Sequence, residues 1–100
     1  MKKYILSEQT PIEEPDIEKW AAWNRDHDRH VDFTIVNDEI KVSTTFLGVD
    51  HGFMNTDTPI LFETMIFGGQ HDQYQERCST YDEAKKMHAT ALELVQTALN

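Results

Sequence analysis

Residues 31–36 (VDFTIV) and 39–48 (EIKVSTTFLG) alternate in side-chain character with a period of two. That period constrains this chain more than any other feature. A strand sends successive side chains to opposite faces, whereas a helix collects every third or fourth residue on one face. In the second run Ile40, Val42, Thr44 and Phe46 oppose Lys41, Ser43, Thr45 and Leu47. Asn37-Asp38 between the runs has the composition of a two-residue turn, so the pair reads as an antiparallel hairpin. Residues 60–67 (ILFETMIF) are apolar on both alternating faces, apart from Thr64 and Glu63. A strand apolar on both sides belongs in the interior of a fold. It can pair with either arm of the hairpin across the turn-rich segment 49–59, and Gly68-Gly69 ends it.

Two helices flank these strands. Thr80 and Glu83 have capping-box spacing, with Ser79 as the alternative cap, and no Gly or Pro follows before the chain ends. Tyr81, Ala84, His88, Ala91, Val95 and Ala98 then form one stripe, whose alanines let a helix lie close on a sheet. Asp16 opens a shorter helical pattern, with Ile17, Trp20, Ala21 and Asn24 on one face and Trp23 beside it. The expected fold class is α+β: a small antiparallel sheet of about three strands, a hairpin plus a third strand, with an N-terminal and a long C-terminal helix. As one domain, the 100 residues divide into an extended lead-in over 1–15, a helix over 16–28, a sheet over 31–67 and a helix over 80–98.

Charge narrows the function classes. The chain carries −9, and residues 8–40 hold ten acids against three bases. Binding to a phosphate backbone rests on Lys and Arg, so no direct nucleic-acid contact is expected. An acidic segment is either a solvated face or a surface that steers the chain to a basic partner. No stretch approaches the roughly 20 apolar residues of a membrane span. The apolar run after Lys2-Lys3 falls short of the roughly 7–15 residues of a secretory core. A cytoplasmic location without membrane association is therefore expected.

The residues that could carry chemistry are few. Glu63 stands in the most apolar segment, where a carboxylate must be paired, protonated or solvated. With His51, Arg77 and His88 it could line a ligand-binding or hydrolytic pocket between sheet and C-terminal helix. The five histidines include His27 and His30 beside Asp26 and Asp28. No spacing brings three or four ligands together, so neither a metal nor another cofactor is expected. Cys78 precedes a helix cap, yet no base is placed to activate it. No catalytic residue is assigned. Trp20 and Trp23 lie three apart and suit either a lid over the sheet or an interface anchor.

The segments VSTTFLGVDHGF (42–53), PILFETMIFGG (59–69) and RCSTYDEAKKMH (77–88) together resemble a family of small proteins encoded by tailed bacteriophages and prophages. The resemblance runs over residues 20–88 and takes in Trp20 and Trp23. Val42, Phe46, Gly48, His51, Glu63, Thr64, Arg77 and His88 fall within the matching motifs, and Cys78 stands where an aromatic residue is expected. The family brings no activity with it. It implies expression in the cytoplasm of an infected bacterium.

The leading expectation is a small acidic, non-enzymatic binding protein that engages a host protein with a basic surface or a small molecule, possible interference with a host process or defence being the natural consequence. Glu13, Glu14, Asp16 and Glu18 would steer it, with Trp20 or Trp23 as anchors. The alternatives are the pocket of His51, Glu63, Arg77 and His88, and a virion or assembly component that forms a homo-oligomer through exposed strand edges.

Overall fold

The period-two segment becomes β4 (Lys41–Phe46), in which Val42, Thr44 and Phe46 are buried while Lys41, Ser43 and Thr45 turn to the other face. The computed structural model describes residues 2–52 and 58–99, so residues 53–57 of the expected 49–59 loop lie outside the described residues. β4 pairs antiparallel with β3 (His30–Ile35) on one side and β5 (Phe62–Phe67) on the other. The third strand thus chooses the second arm of the hairpin. The connection between β3 and β4 is longer than the expected two-residue turn. It runs through residues 36–40, where Asn37 Oδ1 accepts hydrogen bonds from the amides of Glu39 and Ile40. An asparagine side chain that stands in for a backbone acceptor closes such a turn without glycine.

The sheet has four strands rather than about three. β6 (Gln75–Cys78) pairs antiparallel with β5, giving the order β3-β4-β5-β6. Its sequence, QERC, has no apolar alternation, because β6 is an edge strand with little to bury. The lead-in differs too. β1 (Tyr4–Ser7) and β2 (Thr10–Glu13) form a separate antiparallel hairpin, turned at Glu8 with φ +57°.

α1 (Ile17–Asp26) is capped by Asp16, whose carboxylate accepts hydrogen bonds from the Glu18 and Lys19 amides. It ends before the expected residue 28, at the His27 cap. Its half-buried side is formed by Ala22, Trp23 and Asn24 with Trp20, while Ile17 and Ala21 face solvent. The hairpin, α1 and the sheet meet at Gly48. Its carbonyl accepts hydrogen bonds from the Tyr4 amide at 2.8 Å and from Trp20 Nε1 at 3.0 Å. Gly48 has φ +78°, and a Cβ there would meet Asn24 Oδ1 at 3.3 Å.

α2 (Tyr81–Leu99) begins with the capping box, in which Thr80 Oγ1 accepts from the Glu83 amide and Glu83 Oε1 accepts from the Thr80 amide, both at 3.1 Å. It crosses the inner face of the four-stranded sheet and touches every strand of it. Two apolar clusters lie beneath it. Ile40, Val42 and Ile66 pack with Ala91 and Val95, and Phe46, Leu61 and Phe62 pack with Ala84. Burying each phenylalanine contributes roughly 2–3 kcal/mol. Ala98, expected in the buried stripe, is exposed. The opposite, outer face of the sheet is covered by no described element.

Gly68, at φ +90°, allows β5 to turn away under the β3–β4 connection, and a Cβ there would lie 1.8 Å from the Glu39 carbonyl oxygen. Gly68→Ala combines that collision with left-handed strain of about 1–2 kcal/mol. Denaturant unfolding should show a loss of at least about 2 kcal/mol. A wild-type midpoint would contradict this reading of the turn.

Candidate functional site

Glu63 and Arg77 are direct cross-strand partners on the outer face of the sheet. Arg77 Nε donates to Glu63 Oε2 at 2.9 Å, and Gln75 Nε2 donates to the same oxygen. The carboxylate is therefore paired and part-solvated, with 17% of its side chain exposed. Its neighbours in the chain, Phe62 and Thr64, point inward under α2. The period of the strand thus removes Glu63 from the apolar core that its sequence context suggested.

His88 lies on the other side of the sheet, 1% exposed on the inner face of α2. Its Nδ1 is 2.7 Å from Thr44 Oγ1 and its Nε2 is 2.9 Å from Thr34 Oγ1. Thr44 in turn shares a short hydrogen bond with Thr64. The half-exposed Asp32 carboxylate is 3.8 Å from Nε2. An acceptor-only carboxylate at that end favours the proton on Nε2. The chain of donors is then complete: Thr64 to Thr44, Thr44 to Nδ1, and Nε2 to Thr34. Burial holds the imidazole below the usual histidine range, against the opposing pull of Asp32. The neutral ring satisfies every partner and is sealed from substrate, so the arrangement suits a polar brace of the core.

His51 is in the loop after β4, with Nδ1 against the Val49 carbonyl oxygen at 3.0 Å. Beside it, Asp50 accepts from the Gly52 amide at 2.8 Å and the Ile60 amide at 2.9 Å, which holds its carboxyl below the usual range. Asp50 is thus the clasp that closes the segment between β4 and β5. The four residues expected to line a pocket divide accordingly. Glu63 and Arg77 meet on the outer face, His88 is under α2 on the inner face, and His51 serves the loop. Two surface depressions occur elsewhere. One of about 160 Å³ lies between the Gly68-Gly69 turn and the end of α2, and one of about 290 Å³ lies between the β1–β2 tip and the start of α2. Neither contains any of the four.

Both tryptophans are committed to the fold. Trp20 donates to the Gly48 carbonyl, and Trp23 stacks on His27 at 4.7 Å and meets the edge of Phe46 at 5.7 Å. Asp16 is committed as the α1 cap. Glu13 is exposed, 3.9 Å from Lys2, and Glu14 accepts from the Asp16 amide at 3.3 Å. Glu18 is exposed in the first turn of α1. The same stretch exposes two isoleucines, Ile12 by 46% and Ile17 by 61%. Ile17 was expected on the helical face with Trp20 and Ala21, so nothing in the sequence signalled its exposure, whereas Ile12 stands among polar residues at strand spacing. Cys78 is half-buried, and burial with nearby Glu83 pushes its thiol up to about 11, so it stays protonated at neutral pH. Among the described residues no group of three or more His, Cys, Asp or Glu could hold a metal ion. No described helix is long and apolar enough to cross a membrane.

No family model, curated protein or solved structure matches the chain.

The His88 geometry sets a pH dependence. The native ring resists a proton that the unfolded ring accepts at about pH 6.5. Its contribution to stability is therefore complete above that pH and declines as the pH falls below it, because the unfolded chain then binds the extra proton. Thermal midpoints should drop between about pH 7.5 and pH 5, and His88→Leu should flatten that slope. At the upper pH the substitution should still cost about 1–3 kcal/mol, since Thr44 and Thr34 lose a buried partner. An unchanged slope in His88→Leu would assign the effect to another group.

Proposed function

We propose that this protein is a non-enzymatic binding protein that engages a basic partner protein through the acidic surface of β2 and the start of α1. The observation that carries the reading is the exposure of Ile12 and Ile17 among Glu13, Glu14 and Glu18. Isolated exposed apolar side chains ringed by like charge supply both parts of a recognition surface. The carboxylates raise the encounter rate with a basic site, and the isoleucines supply the desolvated contact that slows release. These isoleucines take the anchoring role that Trp20 and Trp23 give up to internal contacts. The resemblance to tailed-phage proteins supports a bacterial host protein as the partner and interference with a host process as the outcome.

The acidic surface can be tested without disturbing the helix cap, provided Asp16 is left in place. Glu13→Lys, Glu14→Lys and Glu18→Lys together should abolish capture of the partner from bacterial lysate, and Ile17→Asp should weaken it. Raised salt should slow association with the wild type, because screening removes the steering between exposed charges. Undiminished capture by the triple variant would overturn the proposal.

A further inference from the structure

We infer that this chain pairs with a second copy of itself, face to face, through the uncovered outer face of its four-stranded sheet. The strand registers arrange that face in four columns. β3 presents His30, Phe33 and Ile35, β4 presents Lys41, Ser43 and Thr45, β5 presents Glu63, Met65 and Phe67, and β6 presents Gln75 and Arg77. Phe33, Ile35 and Phe67 are 47%, 64% and 42% exposed. Large apolar side chains thus form ridges on β3 and β5, and the short Ser43 and Thr45 leave a furrow on β4 between them.

The pattern is self-complementary. A twofold axis running along the strands between β4 and β5 lays the β5 ridge of one copy over the β4 furrow of the other, and the reverse. Met65 then meets Ser43 of the second copy, and the Phe67 ring meets its Lys41, a favourable ring–cation contact. A twofold contact requires this kind of match between a surface and itself. Two sheets packed in this way form a sandwich with α2 on the outside of each layer.

Charge permits the same occupant. The outer columns carry Lys41 and Arg77 against Glu63, a net +1 on a chain of net −9. Two copies meeting here keep their acidic surfaces apart. A single excess positive charge is too little for a nucleic-acid backbone. The one carboxylate of the face, Glu63, is already paired with Arg77 and so offers little to a basic partner. Strand spacing and rise give a footprint of about 20 by 20 Å. Two such faces bury on the order of 1,000 Å² in total, the lower bound for a specific interface.

The test is the mass of the full chain in solution, measured by sedimentation equilibrium across micromolar concentrations. The expected mass is twice 11.6 kDa. It should persist at raised salt, because screening relieves repulsion between the acidic remainders. Phe33→Glu, at the position that faces Gln75 of the second copy, and, separately, Ser43→Arg should each return the mass to that of one chain with an unchanged far-ultraviolet spectrum. The charge-reversed Glu13, Glu14 and Glu18 variant should remain paired, which separates this face from the acidic one. A wild type that stays a single chain throughout the range would overturn the inference. So would a pair indifferent to both outer-face substitutions.

Discussion

The position of α2 on the sheet depends on one buried ring. His88 is the only polar residue on the buried side of α2, and it reaches two strands at once through Thr34 and Thr44. The apolar contacts around it are with alanine and valine, which let the helix approach closely but do not fix its register. Sliding α2 by one turn would keep much of that apolar contact. It would also break the bonds of the ring to Thr34 and Thr44 and strand the imidazole among apolar groups, at about 1–3 kcal/mol for each unsatisfied group. The polar chain therefore sets where the helix lies, and the apolar clusters on either side of it supply most of the attraction.

A second junction, at Gly48, ties the N-terminal third to this body. One carbonyl receives the β1 amide of Tyr4 and the indole of Trp20. The β1–β2 hairpin would be marginal alone, since two strands bury too little surface for independent stability. Docked at Gly48, it holds Glu13 and Glu14 on the surface while Asp16 caps α1 nearby. The acidic surface is thus carried on a braced element. The two proposed interaction surfaces then use different parts of the molecule: acidic carboxylates with isolated isoleucines on the N-terminal elements, and near-neutral apolar ridges on the outer sheet face.

Much of the architecture was legible in the residues, and the reasons are local. β4, β5 and α2 bury one side, so their apolar residues recur at the period of the element. Thr80 and Glu83 mark the start of α2 because a capping box needs only three residues of spacing. β6 and the β1–β2 hairpin were not legible. QERC lies at an edge with no apolar period, and the hairpin is held by backbone hydrogen bonds and a distant carbonyl. The candidate site was legible only as a set of unusual residues. Threonines at the inward parity of two strands, Thr44 and Thr64, were the signal of the polar chain around His88. That signal has meaning only once α2 is known to cross over those strands.

The sequence by itself determined the α+β class, the two helices, the alternating faces of β4 and β5 and the excess of acid in the N-terminal third. Each of these follows from periodicity, capping chemistry or a count of charges, which need no partner from elsewhere in the chain. Only the tertiary structure decided that Glu63 is a paired surface residue and His88 a buried one, although both stood out in the same reading. It also decided that both tryptophans turn inward while Ile12 and Ile17 stay in solvent, and that one face of the sheet is left open. These outcomes depend on which elements pack together, and a side chain's burial is set by neighbours that lie far from it in sequence.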